Sequence, residues 1–153
     1  MGPMGLTGPQ GPPGPAGTGA GLDVFMKVGL GYDPTATTAF LADPVQVTIT
    51  SALQKILVTS SKALGTSLSF GAFGGAQDLD LFVCSQESAG AVTTVGVGVF
   101  DLRAAEDTRQ LYTLSATLTG LAPGTYKFGL CGRSTDPNWN WNEFSYTTAL
   151  VTQ

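Results

Sequence analysis

Gly2, Gly5, Gly8, Gly11, Gly14 and Gly17 occupy every third position of the first seventeen residues without a miss. No other feature of the chain restricts its conformation so tightly. Pro3, Pro9, Pro12, Pro13 and Pro15 fall between them, so the stretch reads Gly-Pro-Met, Gly-Leu-Thr, Gly-Pro-Gln, Gly-Pro-Pro, Gly-Pro-Ala. Such triplets favour polyproline II, and three strands of this kind wind together only when each third side chain is a hydrogen, because that position faces the shared axis. One strand alone has no partner. Residues 1–17 are therefore expected to form the stalk of a homotrimer; the other reading of the same residues is a disordered Pro/Gly linker. The repeat lapses at Ala20, where the next axial glycine would stand, and residues 18–21 read as a flexible neck. Five complete triplets reach only about 45 Å at ~3 Å per residue and are marginal unaided, so residues 22–153 must hold the three chains together.

Beyond the neck the pattern changes to period two. Only 12% of the whole chain is charged while 42% is hydrophobic, and Thr, Ser, Gly and Val dominate after Leu22, the residues of short strands and tight turns. Strands are expected over 24–30, 45–49, 56–64 and 144–151. Leu79, Leu81 and Val83 form an inward set, with Asp80, Phe82 and Cys84 on the opposite face. Val95, Val97 and Val99 alternate with Gly96 and Gly98, whose missing side chains point to another backbone or subunit packed close by. Tyr112, Leu114, Ala116 and Leu118 alternate with hydroxyl residues and run through Leu121-Ala122-Pro123-Gly124 into Tyr126, Phe128 and Leu130, a hairpin signal. Residues 85–90 read as a turn, 101–109 as a charged excursion with room for one helical turn, and 65–75, with Phe70 and Phe73, as a loop or twisted edge strand. About eight strands with turns at roughly ten-residue spacing describe an all-β fold, a β-sandwich or jelly roll. This is the expected trimerisation head.

Composition excludes several functions. There is no histidine, which removes Ser-His-Asp and Cys-His catalysis and His-ligated zinc together. Seven basic residues against eleven acidic ones, scattered singly, form no patch for nucleic acid. Apolar runs are too short and too interrupted for membrane insertion. Asp78, Asp80 and Asp101 supply oxygens of the kind calcium takes, but i, i+2 carboxylates on a strand merely share a face, so no metal, cofactor or catalytic residue is expected. The triplet phase already runs at Met1, so further triplets are expected upstream in the natural chain, after a secretion signal, or else the protein is a virion component made in the cytoplasm.

Two groups remain as candidate sites. Cys84 and Cys131 each lie out of phase with the inward residues of their strands, which would let them meet across neighbouring strands as a disulfide; the other reading is a pair of partly buried thiols. The segment 136–143 places Asp136, Asn138, Trp139, Asn140, Trp141 and Asn142 together. Amides alternating with indoles can stack on and hydrogen-bond a sugar, or the rings can plug the core while the amides hold turns.

A Gly-x-y stalk followed by a compact all-β head resembles the collagen-like proteins of bacteria and bacteriophages. In architecture it is similar to complement-type and tumour-necrosis-factor-type trimeric heads. Gly124, Tyr126 and Phe128 resemble the Gly-x-Tyr-x-Phe strand of complement-type heads, here near the end of the domain rather than its middle. Asp78-Leu79-Asp80-Leu81-Phe82-Val83 with the later Pro123-Gly124-Thr125-Tyr126 looks like small secreted bacterial jelly-roll appendages. The resemblance implies trimerisation and display outside the cell, on its surface or on a virion fibre, with adhesion to a surface glycan or receptor as the alternative role.

Overall fold

The computed structural model describes residues 21–67 and 74–152. The axial glycines Gly2 to Gly17, and Phe70 and Phe73, lie outside the described residues. Among the described residues the secondary structure is all-β: β1 (Leu22–Gly29), β2 (Ala39–Phe40), β3 (Val45–Ile49), β4 (Lys55–Thr66), β5 (Ala76–Glu87), β6 (Thr93–Ala104), β7 (Thr108–Thr119), β8 (Gly124–Arg133) and β9 (Ser145–Thr152). One antiparallel sheet has the order β1-β9-β4-β7; in the other, β8 lies between β5 and the pair β2 and β3, with β6 beyond β5.

The inner faces of the two sheets meet as in a β-sandwich, and the period-two pattern explains why. Val45, Val47 and Ile49 of β3, Ile56 and Val58 of β4, Val83 of β5, Tyr126 and Phe128 of β8 and Ala149 and Val151 of β9 bury their side chains in one cluster. A second cluster joins Leu64, Leu79, Leu81, Leu130 and Trp139. Each such aliphatic or aromatic side chain contributes about 1.5–3 kcal/mol when fully removed from water. The intervening positions point outward.

Consecutive strands mostly change sheet. The hairpin expected through 121–124 is not formed: β7 pairs with β4 in the first sheet and β8 with β3, β2 and β5 in the second. Gly120 turns the chain with φ +71°, Leu121 packs on the core, and the Tyr126 hydroxyl donates to the Ala122 carbonyl at 3.1 Å. This is a tyrosine corner, in which the ring is buried at the start of a strand while its hydroxyl ties down the chain that has just crossed between sheets.

Two further expectations change. Residues 101–109 hold no helical turn, because Leu102 and Ala104 keep the period-two phase and pack on the second cluster, so β6 runs on to Ala104. β5 likewise continues to Glu87, paired with Tyr126, before the chain turns. Over Gly98 the close neighbours are the Phe82 ring and the backbone carbonyl oxygen of Leu81 on β5, as expected of a neighbouring backbone, while Gly96 has nothing within 4 Å among the described residues and is set by its φ of +70°. The β5–β6 register shifts at three places, one beside Asp78 and one beside Asp101, each with positive φ. These bulges break the regularity of the β6 edge.

Candidate functional site

The segment between β8 and β9 is held by its own polar side chains. Asp136 Oδ1 accepts from the Asn138 N–H at 2.9 Å and Oδ2 from the Gln77 N–H at 2.8 Å. The Asn138 amide donates to Gly75 O at 3.0 Å, Asn140 Oδ1 accepts from the Ser67 N–H at 3.0 Å, and the Asn142 amide donates to Asp33 and to Trp139 O. These bonds fasten the segment to the ends of β4 and β5 and to the β1–β2 connection. The amides are thus engaged within the chain rather than offered together to a sugar.

Trp139 is 1% exposed, packs in the second core cluster, and donates its indole N–H to Gln77 O at 2.8 Å. It is a core side chain, and its placement as a recognition ring is corrected: an indole whose only polar atom is satisfied internally gains most by burial. Trp141 is half-buried and lies under the Arg109 guanidinium, 4.8 Å from ring centroid to Cζ. Arg109 also pairs with Glu143. The two tryptophans therefore do not form one platform.

Beneath this segment lies Lys62, whose side chain is fully buried. Its Nζ donates to Leu30 O at 3.0 Å and to Glu143 O at 3.1 Å. Burial pulls the ammonium down to about 8, against the opposing pull of Asp33 and Asp43. Gly31 belongs to the same arrangement: with φ +69°, a Cβ there would strike Leu41 O and the lysine. Buried Ser60 and Thr147 bond each other at 2.7 Å on the same inner face. Neighbouring carboxylates and carbonyls account for Lys62 as an anchor for the β1–β2 connection and for the segment before β9.

Cys84 and Cys131 are joined by a disulfide with Cα atoms 5.8 Å apart. Phe82 stands opposite Cys131 in the register, so the two sulfurs meet diagonally on the outer face of the second sheet. That face is nonetheless dry: both cysteines are inaccessible, beneath Phe82, Phe40 and Val92. Phe100 meets Phe82 edge to face at 5.5 Å.

No protein-family model matches this chain, and no curated protein matches it. Function must therefore be argued from its own residues.

Two of the three acids weighed for calcium pair with arginines. Asp80 accepts from Arg133 Nε at 3.0 Å, and Asp101 faces Arg103 at 3.4 Å. Among the described residues no three acids or cysteines gather as a metal site would require.

One surface escaped the reading of the sequence. Val24, Met26 and Val28 on β1 point away from the core and are 62%, 70% and 47% exposed, with Leu22 beside them. Their cross-strand partners on β9 are Leu150, Thr148 and Tyr146, and Leu57 on β4 continues the strip opposite Leu150. The signal was present in the alternation Leu22, Val24, Met26, Val28 against Asp23, Phe25, Lys27. Period two separates the faces of a strand but does not say which one meets the core, and Phe25 with its opposite Ala149 takes that role.

Proposed function

We propose that this chain is a non-enzymatic, homotrimeric fibre subunit or fibre tip in which a jelly-roll head clamps three chains and registers a collagen-like stalk. The observation that carries the reading is the unbroken glycine phase from Gly2 to Gly17, a pattern whose physical use is the common axis of three chains. The strand orders β1-β9-β4-β7 and β2-β8-β5-β6 support the jelly-roll form of the head. β1 begins at Leu22, directly after the neck, so an associated head would bring three stalk strands together. That raises their effective concentration and replaces a three-body encounter with a local one. The disulfide supports a site of action in an oxidising, extracellular setting. A glycan- or receptor-binding role is the weaker reading, because Trp139 is buried and the amides of 138–142 are largely engaged within the chain.

Sedimentation and circular dichroism of the full chain test the proposal. The expected result is a trimer with the polyproline-type signature of a triple helix, which Gly8→Ala diminishes while leaving the β signal intact. A monomer at tens of micromolar, or a signature indifferent to Gly8→Ala, would leave residues 1–17 as a linker.

A further inference from the structure

The strip on β1 poses a specific question, because the rest of its sheet does not share its character. Outward positions of β7 carry Thr113, Ser115, Thr117 and Thr119, and hydroxyl pairs Thr59–Ser115 and Ser61–Thr113 at 2.8 Å link them to β4. The outer face of this one sheet is thus mostly hydroxyl over β4 and β7, apart from Leu57 and Leu111, and richest in adjoining apolar side chains over β1. Scattered apolar residues on a surface need no explanation, but adjoining ones form a patch of the kind that associates. The edge strands differ too. β6 is interrupted by bulges, whereas β1 pairs with β9 through eight consecutive residues and, among the described residues, has no strand on its other edge. A regular, unprotected edge beside an apolar face is what proteins avoid unless something covers it.

Chain connectivity identifies what covers it. The last axial glycine is Gly17 and β1 starts at Leu22, so only residues 18–21 intervene. Gly17 to Leu22 is five Cα–Cα steps, which span at most about 18 Å. If three copies share an axis at Gly17, their β1 strands must begin within about that distance of it, and the surfaces nearest the axis are those of β1 and its neighbour β9.

We infer that the outer face of β1 and β9, built on Val24, Met26, Val28, Tyr146 and Leu150, is the seam at which this head packs against two further copies of itself. The inference rests on the trimeric-fibre reading above and assigns that association a surface. It also explains why the apolar residues of β1 are arranged on both sides of the strand: Phe25 faces the core of its own subunit, and Val24 and Met26 face the neighbouring copies.

The test uses the full chain in a Gly8→Ala background, which removes the stalk's contribution to association. Sedimentation equilibrium is expected to show a trimer for Gly8→Ala alone and a monomer when Val24→Lys and Met26→Glu are added, with the β-sheet melt retained. Val97→Lys, on the β6 edge, is expected to leave the trimer unchanged. A trimer that survives the paired β1 substitutions overturns the seam and leaves the fibre reading standing. A Gly8→Ala chain that is monomeric while the parent is trimeric does the same, since the stalk alone would then hold the chains. A monomeric parent defeats both. Should the charged variant fail to fold, Met26→Cys with a short bis-maleimide decides the matter: cross-linked dimers, the product that one free thiol per chain allows, support the seam. Their absence, in a parent shown to be trimeric, overturns it.

Discussion

The outer faces of the two sheets both carry apolar side chains, and at the centre of the second sheet and on the β1 edge of the first these are treated in opposite ways. On the second sheet Phe82, Cys84 and Cys131 are sealed within the chain, under Phe40 and Val92 and behind a disulfide. On the first sheet Val24 and Met26 stand in the open. The difference shows that an outward-phase apolar residue has two distinct uses, and that position relative to the stalk separates them. The sealed face lies on β5 and β8, strands central to their sheet. The open face lies on an edge strand that follows the neck.

The comparison breaks first if the sealed face does not stabilise the fold. The disulfide spans 47 residues, and closing a loop of that length removes unfolded-state entropy equivalent to about 4 kcal/mol. Reduction is expected to lower the urea midpoint accordingly, without separating associated chains. A midpoint unmoved by reduction would mean that this face is stapled to no effect.

Phe82→Ala is the next test. The ring covers Gly98, touches Phe100 and is 8% exposed; truncating a buried Phe costs about 3–5 kcal/mol. Partial exposure and the bulged edge beside it place this site at the lower end, about 3 kcal/mol. Equilibrium unfolding of the variant would show it, and a loss below about 1 kcal/mol would put Phe82 in the same class as the open residues of β1.

How far these features can be read from sequence depends on what periodicity encodes. Strands β3, β4, β5, β7 and β8 are legible because apolar side chains recur at alternate positions, and the same phase sets Cys84 and Cys131 off the core side, where the structure joins them. Periodicity carries no information about partners. The passage from Leu118 to Tyr126 therefore looks like a hairpin although it crosses between sheets, and only the Tyr126–Ala122 bond reveals the corner. Trp139 is a similar case: a tryptophan flanked by asparagines looks like a surface ring until the chain folds it between Leu64 and Leu130. For β1, with apolar residues on both faces, no local signal ranks Phe25 above Met26 as the core residue.

Lys62 sharpens the comparison from the inner side, because it holds Leu30, immediately after β1, and touches nothing at the disulfide. Its folded pKa near 8 lies below the ordinary 10.5, so between those values the unfolded chain binds more protons and stability rises with pH. Below about 8 the cost of the buried charge is constant. Burial raises the Tyr112 hydroxyl above its usual 10.0; that contribution is present below pH 10 and lost above it, so the rise is cleanest from pH 8 to 10. Urea midpoints across this range should climb in the parent and stay flat in Lys62→Met. A flat parent profile would show that the ammonium is not desolvated.

The smallest effect is the one that separates the two faces most directly. Met26 is 70% exposed, and within one chain it has little packing to lose, so Met26→Ala is expected to change the unfolding free energy of dissociated chains by less than about 0.5 kcal/mol. At concentrations where the chains associate, the same substitution should lower the melting temperature, because whatever binds only the folded state stabilises it by mass action. Concentration is then the decisive variable: Phe82→Ala acts equally at every dilution, while Met26→Ala acts only where copies meet. A loss of about 2 kcal/mol from Met26→Ala in dilute, monomeric chains would be the cost of an interior side chain. The open face would then already be covered from within its own subunit, and its difference from the disulfide face would vanish.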